Sequence, residues 1–242
     1  MSTHQNATFQ RFEKKYLLTE EQYHALMEEI GDRLRPDRFF RGTISSLYFD
    51  TPDYRLIRAS LEKPVYKEKL RLRSYGTPGP NDTVFLEIKK KYKGIVYKRR
   101  IPMTLAESDA YINHGVPPSN GGQILQEIDW FRKFYADPKP AILLSYDREA
   151  YAAMKEPEVR ITFDENIRWR HQQLRLEAGP DGDSFLPCGY RIMELKFPAA
   201  IPLWLSGALD RLNIYPTSFS KYGTVYQLIQ KNKNHQGGIP CA

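Results

Sequence analysis

Between Lys67 and Arg100 the chain reads KEKLRLRSYG, TPGPNDT and VFLEIKKKYKGIVYKRR, and the alternation in this stretch narrows the folds open to it. Successive side chains of a strand point to opposite faces. Lys67, Lys69, Arg71 and Arg73 therefore share one face of a strand, with Leu70 and Leu72 on the other. After the turn, Glu87, Lys89 and Lys91 fall on one side and Val84, Leu86 and Ile88 on the other, with Lys90 breaking the apolar side. A third strand, Ile95 to Ile101, places Lys98 and Arg100 on a common face. If these strands are neighbours, a dense set of cations and one carboxylate occupy one surface. Two like charges about 4 Å apart cost roughly 4 kcal/mol at an effective dielectric near 20, so such a surface calls for an anionic partner.

The same grammar recurs along the chain. Glu13 and Lys15, with Arg11, lie opposite Phe12 and Tyr16; Ser46, Tyr48 and Asp50 lie opposite Leu47 and Phe49; Tyr146 and Arg148 oppose Leu143 and Ser145. Arg160, Thr162 and Asp164 oppose Val159, Ile161 and Phe163, and Glu194 and Lys196 oppose Met193, Leu195 and Phe197. Short connections imply antiparallel hairpins. Between the strands, Thr19 with Gln22 and Thr104 with Glu107 form capping boxes for two helices, ended by Gly31 and Gly115. A third helix spans Gln123 to Tyr135, and PLWLSGALDRLN and SKYGTVYQLIQK read as two more, with Ser220 and Lys221 opening the second. The loop GPDGDSFLPCG reads as a solvent excursion. Helices need a surface for their apolar stripes. If they cover the apolar faces of a sheet that curls, the charged faces end up inside a barrel.

Composition sets the remaining bounds. A chain of 242 residues can bury roughly 70 to 75% of its unfolded surface, enough for a real core. A net charge of +7 with 13% aromatic residues leans it toward anionic partners. Cys188 and Cys241 give neither a disulfide framework nor a CxxC spacing, which suits a reducing cytoplasm. There is no signal-like apolar stretch and no run long enough to span a bilayer. His24, His114, His171 and His235 show no paired zinc-ligand spacing, no GxxxxGK is present, and the aromatics fall mostly opposite the cations, against a nucleic-acid platform.

The ordered motifs RFEKKY, SLYFDT, KLRLRSY, FLEIKKK with VYKRR, SYDREAY, VRITFDENI, MELKF and SFSKY resemble the VTC domain, the polyphosphate polymerase domain of the triphosphate tunnel metalloenzyme superfamily. The resemblance covers residues 9–231, with 1–8 expected as a flexible arm and 232–242 as a disordered tail. It implies an α+β fold, an eight-stranded antiparallel β-barrel (a triphosphate tunnel) with helices packed outside. It also implies a cytoplasmic enzyme that moves the ATP γ-phosphate onto a growing polyphosphate chain, with Mn²⁺ or Mg²⁺ as cofactor. Carried over by motif, Lys15, Lys69, Arg71, Arg73, Lys89, Lys98, Arg100, Arg148, Arg160, Lys196 and Lys221 bind phosphates, and Arg71, Arg73, Lys89 and Lys196 carry catalysis. Glu194 is the principal metal ligand, Glu87 a supporting one, and Glu13 and Asp164 balance charge or support the metal. ATP or another triphosphate and the polyphosphate chain are the partners, nucleic acid is not, and any membrane attachment would come from a partner protein. The competing readings are an inorganic or nucleoside triphosphatase in the same tunnel and a non-catalytic polyphosphate sensor.

Overall fold

The computed structural model describes residues 12–93 and 95–236. Arg11, the expected N-terminal arm and the last residues of the tail lie outside them. The chain divides into two compact units, and the division falls inside three of its long strands.

The first unit comprises the chain as far as Gly42, Asp147–Asn166 and Leu186–Phe219. It holds strand β1 (Phe12–Leu18), helix α1 (Glu20–Ile30) and the start of β2 (Leu34–Asp50). The end of β6 (Lys139–Ala153), most of β7 (Arg160–Arg170), β9 (Arg191–Phe197), α5 (Leu203–Arg211) and the short β10 (Pro216–Thr217) complete it. The ladder runs β10-β1-β9-β7, antiparallel throughout. One face supplies Tyr16, Leu18, Ile161, Phe163, Met193, Leu195 and Phe197 to a core sealed by Leu26 and Ile30 of α1 and Leu205, Ala208 and Leu209 of α5. The capping box at Thr19 forms as expected: the Thr19 hydroxyl accepts from the Gln22 N–H, and the Gln22 amide oxygen accepts from the Thr19 N–H. Gly31 is the C-cap of α1, as expected, with a right-handed φ of −59°, and the chain passes into a 3-10 turn over Gly31–Arg33.

The second unit comprises Thr43–Tyr146, Ile167–Phe185 and the chain from Ser220. Its ladder runs β2-β3-β4-β5, with β3 (Tyr66–Tyr75), β4 (Thr83–Tyr92) and β5 (Ile95–Thr104). Leu47, Phe49, Leu70, Leu72, Val84, Leu86, Ile88, Ile101 and Met103 form an apolar face. It is covered by Tyr111 of α3 (Leu105–His114) and by Leu125, Ile128 and Phe131 of α4 (Gly122–Phe134). Lys90, which breaks the alternation, turns with Arg99 toward Glu127 of α4, at 3.6 and 2.8 Å. The loop after β7 contributes a two-residue strand, β8 (Asp183–Ser184), paired with β7.

One element of this unit escapes the sequence pattern, and one expected from it packs where no pattern shows. Helix α2 (Arg55–Leu61) has seven residues, too few to show a period, and its N-cap, Tyr54, sits at φ 57° without a side-chain cap. The cap comes from Asp50, 2% exposed, which accepts the N–H groups of Leu56 and Ile57 at 2.9 and 3.1 Å and the Tyr222 hydroxyl at 2.6 Å. Asp50→Ala is expected to lower stability by about 2 kcal/mol, measured by denaturant unfolding, because buried donors at a helix start lose their acceptor. Helix α6 (Lys221–Gln236) packs in a separate cluster from α3 and α4. Its Tyr222, Val225 and Ile229 pack with Ile57, Ile142, Leu144 and Trp169, and Tyr222 stacks on Tyr48, the cross-strand neighbour of Arg71.

The α+β class, the antiparallel pairing and the helices on apolar faces match the expectation. So does the number of long strands among the described residues, eight, to which β8 and β10 add two residues each. Closure does not: β10 ends the first ladder and β5 the second, each with one neighbour among the described residues.

Candidate phosphate-binding site

In the second unit the register lines up two cross-strand rows on the face opposite the core. One runs Tyr48, Arg71, Glu87, Arg100; the next runs Lys69, Lys89, Lys98. Glu87, 1% exposed, is their hub. Arg71 donates from Nε to Glu87 Oε2 at 2.8 Å, an Arg73 guanidinium nitrogen lies 3.8 Å from the same oxygen, and Lys98 Nζ lies 2.8 Å from Oε1. Burial pushes the Glu87 carboxyl up, but Arg71, Arg73 and Lys98 outweigh it and bring its pKa down to about 2. Burial also draws the Lys98 ammonium below its ordinary value, against the pull of Glu87. Three cations on one carboxylate leave an excess of positive charge that a phosphate chain can answer.

Hydroxyls hold these cations in place. Arg71 donates to the Tyr48 hydroxyl at 3.0 Å, and Arg73 donates to Ser46 Oγ at 3.2 Å and to the Tyr146 hydroxyl at 3.4 Å. Burial raises the Tyr48 phenol, yet Arg71, Lys69 and Arg73 bring its pKa down to about 7. Lys69 reaches Ser220 Oγ at 3.4 Å, Lys221 lies 4.4 Å from the Tyr146 ring centroid, and Arg100 lies 4.6 Å from that of Phe85. Alternation had put Ser46, Tyr48 and Tyr146 on the charged faces, but the absence of charge hid their role as supports. Lys67, by contrast, donates to the Ser60 carbonyl of α2 at 3.0 Å.

In the first unit the rows are Lys15, Glu194, Thr162 and Glu13, Lys196, Arg160. Lys196 Nζ lies 2.6 Å from Glu194 Oε1, and Lys15 Nζ lies 3.8 Å from Oε2 and 3.5 Å from Glu13. Burial raises the Glu194 carboxyl, but Lys196, Lys15 and Arg148 hold it well below the carboxylate range. Arg148 grips Asp164 with two hydrogen bonds, at 2.6 and 2.8 Å. Arg160 pairs with Asp37 of β2. The structure thus gathers Arg71, Arg73, Lys98 and Glu87 in one unit, and Lys15, Lys196 and Glu194 in the other.

Among the described residues no three His, Cys, Asp or Glu side chains converge as a metal cage. A hard divalent cation carried by phosphates needs only one or two protein carboxylates, and Glu194 fits that role. Beside it the Thr162 hydroxyl is buried without a hydrogen-bond partner, a further oxygen not committed to the fold. Glu87 is 1% exposed under Arg71, Arg73 and Lys98, which suits it to holding those cations, whereas Glu194 is answered by the partly exposed Lys15 and Lys196.

These basic, hydroxyl-braced sheet faces stand on an antiparallel α+β scaffold, and the fold is that of the triphosphate tunnel proteins. Two solved structures share it. An adenylate cyclase candidate from Bacillus halodurans is 14% identical, with TM-score 0.53 over 86% of this chain and 92% of the other. An adenylyl cyclase candidate from Hippeastrum, described as having a dominant triphosphatase activity, is 14% identical, with TM-score 0.51 over 90% and 96%. The chain belongs to the VTC domain family, whose model matches residues 10–230. It is also 25% identical over 230 residues to vacuolar transporter chaperone complex subunit 4 of Trypanosoma cruzi (strain CL Brener), covering 74% of this chain and 27% of that relative's length.

Proposed function

We propose that this domain forms polyphosphate, transferring the terminal phosphoryl group of ATP to the end of a growing phosphate chain. The observation that carries the reading is the gathering of Arg71, Arg73 and Lys98 on the single buried Glu87 carboxylate in a chain of the VTC domain family. Phosphoryl transfer asks a protein chiefly for position and charge neutralisation. The attacking oxygen of a phosphate chain is already ionised at neutral pH, so no side-chain nucleophile is required. The new bond forms from that oxygen to the γ-phosphorus, the β,γ-anhydride bond breaks, and the electron pair leaves on the β-phosphate oxygen of ADP. Arg71 and Arg73, held by Glu87, Tyr48, Ser46 and Tyr146, present fork-shaped donors suited to phosphate oxygens. Lys69, Lys89, Lys98, Arg100 and Lys221 add charge in the same unit, and Lys15, Lys196, Arg148 and Arg160 are the phosphate-binding cations of the other. A divalent cation, Mn²⁺ or Mg²⁺, held by Glu194 and the phosphates together, would supply further neutralising charge.

Incubation with ATP and Mn²⁺, with products resolved on a gel, tests the reading. A ladder of long chains is the expected result; free phosphate alone would assign the domain as a triphosphatase, and binding without turnover as a sensor. Inorganic triphosphate is expected to raise the melting temperature, less so at high salt, since it binds the folded protein. No helix among the described residues is long and apolar enough to cross a membrane. The relative from Trypanosoma cruzi is a complex subunit, and we extend to this chain the reading that partner subunits provide any attachment to a membrane.

A further inference from the structure

We propose that Thr162 is a phosphate-binding residue of the Glu194 face, its hydroxyl donating to a phosphoryl oxygen of a bound triphosphate. The proposal rests on the reading of that face as a triphosphate site. Thr162 is 7% exposed, and its Oγ is buried with no hydrogen-bond partner. In a native fold such a group is rare, and leaving it unsatisfied is unfavourable. Valine has the same shape and an equal or better preference for a strand, so the fold itself gives no reason for a hydroxyl here.

Its neighbours say what the hydroxyl can serve. Thr162 is the cross-strand partner of Glu194, which in turn is the partner of Lys15, and Arg160 and Asp164 flank it on the same face of β7. Lys196 and Lys15 already engage the two oxygens of Glu194, and Asp164 accepts both hydrogen bonds from Arg148. No protein group among the described residues accepts the Thr162 proton in the folded chain, which leaves the hydroxyl available to an acceptor on a ligand. A phosphoryl oxygen is an acceptor only, and the ammonium groups of Lys15 and Lys196 give it reason to come to this row. A hydroxyl donor complements such a ligand without adding charge to an already cationic face.

The 242-residue chain, its Thr162→Val variant and its Thr162→Ser variant can be compared in EDTA by thermal melting and by calorimetric titration with inorganic triphosphate. Without ligand, Thr162→Val should melt at or above the wild-type temperature, because it removes an unsatisfied buried hydroxyl. Its triphosphate affinity should fall about tenfold, the loss expected for one hydrogen bond to a charged group, while Thr162→Ser should keep wild-type affinity. A ligand-free Thr162→Val that melts several degrees lower would show that the hydroxyl serves the fold, overturning the proposal. So would wild-type affinity in Thr162→Val, or equal losses in both variants. Failure of the wild-type chain to bind triphosphate at all would instead sink the reading of the face on which the proposal rests.

Discussion

Glu87→Gln should lose about 3–5 kcal/mol of folding stability, the cost of removing one partner from a buried ion network. The amide keeps the shape but not the charge, and it leaves Arg71, Arg73 and Lys98 facing one another around a 1% exposed side chain. Chemical denaturation at neutral pH measures the loss. The wild-type protein should show the same dependence on acidification. The folded-state pKa of Glu87, about 2, lies below its ordinary value of 4.5, so its contribution is fully present above about pH 4.5 and is lost as pH falls toward 2. The variant should be flatter across that window. Because a polyanion can take the place of the missing carboxylate, triphosphate should stabilise Glu87→Gln more than it stabilises the wild type. A variant within about 1 kcal/mol of wild type, with an unchanged acid profile, would remove Glu87 from the centre of this face.

The sequence carried this face to an unusual degree, because strand alternation depends only on side-chain chemistry two residues apart. Leu70, Leu72, Leu86 and Ile88 went to the core, and Arg71, Arg73, Lys89 and Lys98 to the opposite face, as their spacing required. The capping boxes at Thr19 and Thr104 were legible for the same local reason. What depended on distant partners was not. Helix α2 is capped by Asp50 from a preceding strand, and the N-terminal half of β2 runs through Pro36 and Gly42 without an alternating signature. No local rule could show that α6 would lay Tyr222 on Tyr48, or that Glu87 would be enclosed while Glu194 keeps lysines that reach solvent. Thr162 is the sharpest case: its face was readable, whereas its lack of a partner exists only once β1, β9 and β7 are assembled.

Under the proposed function the two carboxylates have different tasks, and Glu194→Gln is expected to separate binding from turnover. Glu194 is answered by Lys196, 37% exposed, and Lys15, 28% exposed, both of which can turn to water or to a phosphate when the carboxylate is neutralised. The stability loss should therefore be smaller than for Glu87→Gln. Catalysis should fall by about a hundredfold to a thousandfold, the scale for removing one charge-positioning group from a transfer site. Binding should move the other way. In EDTA, Glu194→Gln removes a negative charge from the row that receives the anion, so triphosphate should bind as tightly as to the wild type or more tightly. With Mn²⁺ present, any gain in affinity that the metal gives the wild type should disappear in the variant. Turnover of ATP and calorimetric titration with and without Mn²⁺ read the two effects independently. Wild-type turnover in Glu194→Gln would refute a metal-holding role, and weaker binding in EDTA would mean that the carboxylate positions Lys15 and Lys196 for phosphate instead.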